Sequence, residues 1–272
     1  AGVRTDGSIY GSLSISTTQD AEGHTSYVSG LSRQASSDFA QLLLGGVVSD
    51  VSRTFGLSWT RREHWDRNYA ETRMPAVPSS ILEMLSHQNF ADMKFGHDPN
   101  FKFTLARSIY KSILRFVNSE HGIKTYKIQP LAPHNFSSEF TADGTGVKLS
   151  WSPTLDSLET SANPTGYVLY TKVDDEDFDN GLYVGNVTEY MVPLTTGRVY
   201  GFRVAAVNAG GQSFPTETLA AYRSANAESK RILIVNGFNR VSGPAWVDTA
   251  DSLGFRLDLD PGVPYLRTTA YS

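Results

Sequence analysis

Residues 8–17 (Ser-Ile-Tyr-Gly-Ser-Leu-Ser-Ile-Ser-Thr) alternate, with Ile9, Gly11, Leu13 and Ile15 on one side. A period of two over this length predicts a β-strand. Residues 32–55 switch to helical spacing. Phe39, Leu42, Leu43, Val47, Val51 and Phe55 recur along one face, and Ser32, Ser36 or Ser37 can cap the start. Gly45-Gly46 weaken the middle of that helix by about 1 kcal/mol each relative to alanine. Residues 56–75 hold no period and predict a long loop rich in arginine and aromatic residues. Residues 79–86, with Ile81, Leu82, Met84 and Leu85, predict a short, fully buried strand. A second helix over 100–119 would bury Phe103, Ala106, Ile109, Tyr110, Ile113, Leu114 and Val117. Asp98 is its expected cap and Pro99 its first residue. Strands alternating with helices predict an α/β domain over residues 1–127, a mostly parallel sheet with flanking helices.

The character then changes. Gln129-Pro130-Leu131-Ala132-Pro133 punctuates the chain. Strand patterns follow at 146–152, 166–173, 187–193 and 199–207, separated by clusters of Gly, Pro, Asp and Asn. Short strands with frequent turns predict an all-β sandwich over 128–225. Val147 to Trp151 resembles the second strand of a fibronectin type III domain, with its core tryptophan. Gly166 to Tyr170 resembles the third, and Leu194 with Arg198 to Asn208 resembles the tyrosine-corner strand. The remaining segment, 226–272, opens with Lys230-Arg231-Ile232-Leu233-Ile234-Val235-Asn236-Gly237. That run predicts the buried first strand of a further, partial α/β unit. So short a segment cannot bury a core alone. It either packs on its neighbours or continues beyond Ser272.

Composition narrows the function. The net charge is -4 across 272 residues and no basic tract occurs, which argues against a nucleic-acid partner. No apolar run reaches the roughly 20 residues of a membrane span. The chain has no cysteine, so disulfides, thiolate metal sites and cysteine nucleophiles are excluded. Ala1-Gly2-Val3 shows neither an initiator methionine nor a signal peptide, which suggests a piece of a longer chain.

The candidate chemistry centres on Glu83, a carboxylate inside the apolar run. Burying an ionised carboxylate is costly unless it is paired, so such groups concentrate at active sites. His87 lies four residues on and shares its face in a helix or a strand. A glutamate so placed can act as a general base toward water. His64, Glu71 and His87 form an alternative metal-ligand set. Arg61, Arg62, Arg67 and Arg73 can clamp an anionic group. Trp59, Trp65 and Tyr69 can stack on sugar rings or pack in a core. Asp174 to Asp179 is an acidic loop, either a calcium-type oxygen cluster or a solvated hairpin.

Several of these segments carry a family resemblance. Gly11 to Ile15 is similar to the strand after the last metal-binding histidine of zinc-dependent N-acetylmuramoyl-L-alanine amidases. Ser32 to Val51 is similar to the helix that follows there. Met74-Pro75-Ala76-Val77 through Glu83, then Ser86 to Asn89, are similar to the segment bearing the catalytic glutamate. Residues 1–127 thus resemble the C-terminal two thirds of such an amidase. They resemble more closely the divergent form in multidomain exported proteins of Bacteroidetes, some labelled xanthan lyase-like, where a type III module follows. The resemblance implies Zn2+ held by His, Glu and His, with Glu83 as the base. The ligands would lie upstream of residue 1, so this chain would supply none. Leu85-Ser86-His87 stand where the amidases have a Gly-Phe pair, implying altered substrate shape. His87, Arg73 and Trp59 are the candidate substrate contacts. The expected function is that of an exported cell-wall hydrolase, periplasmic, cell-surface or secreted. It would cleave the muramoyl-L-alanine amide of peptidoglycan by zinc-assisted water attack. One alternative is a non-catalytic binding or scaffold protein with a degenerate amidase fold. Another is a polysaccharide-active, xanthan lyase-like enzyme. The expected partner is peptidoglycan or another cell-surface glycan.

Overall fold

All five residues of β1 (Ser12–Ser16) are buried. It is the middle strand of a three-stranded sheet, between β2 (Arg61–Asp66) and β3 (Ile81–Glu83). β2 runs parallel to it and β3 antiparallel, so the sheet is mixed where the pattern predicts a mostly parallel one. The computed structural model describes residues 2–226, 228–235 and 242–263. Four helices complete this part of the chain: α1 (Gln34–Phe55), α2 (Ala70–Arg73), α3 (Phe90–Gly96) and α4 (Pro99–Glu120).

Both faces of β1 are covered. Leu13 and Ile15 are buried as the alternation predicts, but Ser12, Ser14 and Ser16 are each 0% exposed as well. A serine face can be buried when every hydroxyl finds a partner. Ser12 Oγ accepts a hydrogen bond from Trp59 Nε1 at 2.8 Å. Ser14 and Ser16 meet the ring of His64.

β2 falls in the segment that reads as a loop. It is polar because it lies at the sheet edge, with Arg61, Glu63 and Asp66 exposed. β3 is shorter than the expected 79–86 strand and only partly buried, because it forms the opposite edge.

The two long helices match expectation in extent and differ in orientation. Asp98 caps α4 by accepting from the Asn100 N–H at 2.8 Å, with Pro99 next to it. The buried side of α4, however, includes Phe101, Leu105, Ser108, Lys111 and Ser112, while Phe103, Ile113 and Val117 are exposed. The reason lies on α1. Gly46 brings its backbone against Ser112, where a Cβ would collide with the hydroxyl. One turn on, buried Asp50 meets the buried Lys111 ammonium at 2.8 Å. Small residues and one cation therefore face α1 in place of the larger apolar side chains. Val47, Val51, Trp59, Phe101 and Leu105 form the adjoining core. Trp59 packs 5.0 Å from Phe101 and edge-on to Phe95 at 5.6 Å.

The second compact unit spans Lys124–Val235. It is a two-sheet sandwich. One sheet joins β4 (His134–Phe140), β5 (Gly146–Ser152) and β8 (Glu189–Pro193). The other joins β6 (Gly166–Val173), β7 (Leu182–Gly185), β9 (Val199–Asn208), β10 (Gly211–Gln212) and β11 (Leu219–Tyr222). Trp151, Tyr167, Leu169, Phe202 and Val204 fill the space between the sheets. This is the all-β sandwich that the turn spacing predicts.

The strand expected at 230–237 is a correction. Among the described residues, 231–235 pair with nothing in a sheet, and Ile232, Leu233, Ile234 and Val235 are 78–87% exposed. An apolar run specifies a buried strand only where a sheet offers it a neighbour. The turn at 236–237 lies outside the described residues.

The described later part of the tail, residues 242–263, belongs with the first unit. There β12 (Trp246–Asp248) and β13 (Leu253–Phe255) form an antiparallel hairpin. It docks on α3. Lys94 Nζ lies 2.9 Å from Asp248 Oδ2 and 4.6 Å over the Trp246 ring. Phe255 packs at a tilt against Phe90 at 5.1 Å and nearly perpendicular to the His97 ring at 4.8 Å. Burial, and then the charge of Lys102, hold the His97 imidazole below its usual pKa. Lys94→Ala removes an ion pair and a cation–π contact from a partly exposed site. It is expected to loosen the hairpin by on the order of 1 kcal/mol. Faster amide exchange across residues 246–255 would report it, and unchanged exchange would show that the hairpin is held elsewhere.

Candidate functional site

Glu83 sits on β3 directly opposite Leu13 of β1. On the other side of β1, Ser12 pairs with Arg61 and Ser14 with His64, so Arg62 and Glu63 together oppose Leu13. This is a bulge, and it turns Arg62 onto the face where Glu83 stands. Arg62 Nη1 reaches across the middle strand and donates to Glu83 Oε2 at 3.4 Å. The guanidinium also lies 4.2 Å over the Tyr10 ring. Leu82, the residue before Glu83, packs against the core, so the pleat sends Glu83 to the opposite face.

The premise of a buried carboxylate is therefore corrected. The Glu83 side chain is 38% exposed and already paired. The apolar run around it covers an edge strand, which leaves one face open.

The other predicted residues separate. Trp59 is 2% exposed in the core and touches no open surface, so it is no substrate contact. His87 is exposed in the turn after β3, and nothing described links it to Glu83. Arg73, at the end of α2, donates to the backbone oxygen of Asn68 at 3.2 Å and pins its own loop. The set His64, Glu71 and His87 does not assemble. Among the described residues the one cluster with metal-ligand geometry is Asp20, Glu22 and His24. His64 instead points into the sheet interior. Its Nδ1 lies 3.0 Å from Ser14 Oγ, and its Nε2 lies 3.2 Å from Ser37 Oγ and 3.3 Å from Ser16 Oγ. Either tautomer finds a hydroxyl, which makes it a strand-to-helix fastener.

Sequence reasoning missed Asp92. It is 0% exposed, yet no cation pairs with it among the described residues. Four N–H donors reach its carboxylate instead. Tyr10 N–H and Asn89 Nδ2 donate to Oδ1 at 2.8 and 2.9 Å. Gly11 N–H and Ser86 N–H donate to Oδ2 at 3.0 and 2.9 Å. Gly11 has φ 80°, and a side chain there would meet Thr60, so the approach to Asp92 requires glycine. Asn89 and Ser86 extend the clamp. Asn89 Oδ1 accepts from Arg4 N–H at 3.0 Å, and Ser86 Oγ accepts from Gly2 N–H at 3.0 Å. Ser86, Asn89 and Asp92 together fix the segment that leads into β1. The spacing Ser-x-x-Asn-x-x-Asp runs from the turn before α3 into its first turn, but it does not by itself point to Tyr10 and Gly11.

In the sandwich, the Thr195 N–H donates to the Tyr200 hydroxyl at 3.3 Å, just upstream of β9. That is the tyrosine-corner hydrogen bond. A family model described as fibronectin type III domain matches residues 131–222. Residues 131–222 form a fibronectin type III domain. The fourth type III domain of a human protein, solved in solution, is 24% identical; the match covers 39% of this chain and 89% of that one, with a TM-score of 0.33. The chicken CNTN1 FN1-FN3 domains are 15% identical, with 35% and 32% covered and a TM-score of 0.30. A structure titled as a myokine is 19% identical, with 35% and 99% covered and a TM-score of 0.30. No curated protein matches the chain. In the type III domain the acidic loop is a paired hairpin. Asp174 binds Arg198 and accepts the Val199 N–H at 2.8 Å, which fits the solvated-hairpin reading over a calcium site. No described helix is long and apolar enough to cross a membrane.

Proposed function

We propose that the chain is part of an exported protein that acts on peptidoglycan. Its first unit is an amidase-like hydrolase module, and the type III domain is a spacer. The observation that carries the proposal is the placement of Glu83. Its carboxylate stands on the open face of an edge strand, 38% exposed and steadied by Arg62, in a segment that resembles the one bearing the amidase base.

The zinc implied by the resemblance needs a His, Glu and His set. Among the described residues no such set surrounds Glu83, so the residues present do not fit the metal and no step is derived through it. What the chain itself supplies is narrower. Glu83 accepts the proton of an attacking water, and the donors of Arg62 are one side chain away. Those donors suit the amide oxygen as it gains charge, or a peptide carboxylate. Tyr10 supports the guanidinium from behind.

The full-length protein is expected to release sugar-free stem peptides from purified peptidoglycan. Glu83→Gln is expected to lower that rate by about 10²–10⁴-fold. Equal rates for the two proteins would remove Glu83 from the chemistry. A second reading, a non-catalytic cell-wall binding module, is favoured by the ion pair that already occupies Glu83 Oε2. Co-sedimentation with insoluble peptidoglycan, without release of fragments by either protein, is its signature.

A further inference from the structure

The turn that follows β1 holds a second constellation, which owes nothing to the reading of Glu83. Asp20, Glu22 and His24 each bring a ligand atom within 4.8 Å of the others. Asp20 Oδ2 and His24 Nδ1 are 2.9 Å apart. Asp20 Oδ1 is held by the N–H groups of Glu22 and His24 at 3.0 and 2.8 Å, which keeps Oδ2 aimed at the cluster. At metal–ligand distances of about 2.0–2.2 Å, tetrahedral ligand atoms stand roughly 3.3–3.6 Å apart. Opening the Asp20–His24 contact by some tenths of an ångström therefore makes room for an ion.

Arg33 is the independent observation. It is 6% exposed, and its Nε and Nη1 have no hydrogen-bond partner. Its guanidinium lies 4.4 Å over the Tyr27 ring, and Nη2 points to Asp20 Oδ2 at 3.9 Å. Arg33, Asp20, His24 and Tyr27 line one open cleft of about 620 Å³. Leaving buried donors unpaired costs about 1–3 kcal/mol each, more on a charged group. Nη2 is the guanidinium atom that faces the cluster, and an anionic oxygen in the cleft would meet the guanidinium there.

Charge decides the order of binding. With His24 neutral, two carboxylates and one guanidinium sum to -1, which repels an anion. A divalent ion reverses the sign. Imidazole with carboxylates suits zinc or cobalt better than magnesium, and three protein ligands leave a coordination position for another molecule.

We propose that Asp20, Glu22 and His24 bind a divalent transition-metal ion, and that the ion and Arg33 together take the carboxylate group of a second molecule.

The test is a cobalt(II) titration of the tag-free chain, followed by visible absorption, with zinc as competitor. One equivalent is expected to give the d–d bands of a low-coordinate site, displaced by zinc. His24→Ala and Glu22→Gln change exposed side chains and are expected to weaken binding by about tenfold or more. Acetate added to the cobalt-loaded wild type is expected to shift the bands, and Arg33→Lys is expected to keep cobalt but lose the shift. Should Arg33→Lys fail to fold, the acetate response of the wild type still decides the anion half. No cobalt binding, or binding unchanged in both ligand variants, overturns the metal site. Bands indifferent to acetate, or an acetate shift that Arg33→Lys keeps, overturn the role of Arg33.

Discussion

Replacing Asp92 by alanine is expected to destabilise the first unit by roughly 3–5 kcal/mol. The carboxylate accepts from three backbone N–H groups, of Tyr10, Gly11 and Ser86, and from Asn89 Nδ2. Removing it strands all four donors in a site closed to water. Each stranded donor keeps its desolvation cost, about 1–3 kcal/mol, and partial relaxation recovers some of the sum. Asp92→Asn is almost isosteric but presents an NH2 where a donor already points, so it too is expected to destabilise strongly. Urea denaturation measures the total. Amide exchange locates it, with protection falling first at residues 10, 11 and 86. A loss below about 1 kcal/mol, the size of one ordinary hydrogen bond, would mean that the segment before β1 is anchored by something else.

The pair Asp50–Lys111 gives the second large effect. Both residues are nearly excluded from solvent, at 6% and 1% exposed, and their charged atoms are 2.8 Å apart between α1 and α4. Breaking a buried pair by removing one member costs about 3–5 kcal/mol, because the other charge is left without a partner. Asp50→Ala or Lys111→Met alone is expected to show this loss. The joint change Asp50→Leu with Lys111→Met is expected to recover most of it, since apolar replacements of buried pairs are often neutral or better. Denaturation of the two single variants and the double variant measures the coupling. Additive losses would mean that the charges do not act as a pair.

These two sites explain how much was legible beforehand. The extents of α1 and α4 follow from helical spacing and from the Asp98-Pro99 start, and both stand in the structure. The inward face of α4 does not follow. Hydrophobicity favours Phe103, Ile113 and Val117, but the demands of Gly46 and Asp50 on the facing helix overrule it. β2 was hidden because an edge strand with a bulge need not alternate cleanly. α3, at seven residues, is too short for a period to declare itself. Glu83 was found by its unlikely neighbours, though its partner Arg62 comes from a segment that reads as a loop. Asp92 was invisible because its partners are mostly backbone groups. Two of them, at Tyr10 and Gly11, lie 82 and 81 residues away, and no local pattern encodes such a meeting. The type III domain was the most legible part, because its core tryptophan, tyrosine corner and strand spacing are local signals that coincide.

The separation between Asp92 and the segment it clamps also sets a timetable. The anchor of the segment that leads into β1 is made 82 residues after Tyr10. At ribosomal rates of about 5–20 residues per second, that is a delay of roughly 4–16 s. During it the nascent Leu13-Ser14-Ile15 strand has neither sheet edge in place, since β2 and β3 also follow later. A high contact order of this kind slows folding, because loop closure must precede the contacts that reward it. β1 thus gains its sheet neighbours, and the segment before it gains its anchor, only as residues 61–92 follow.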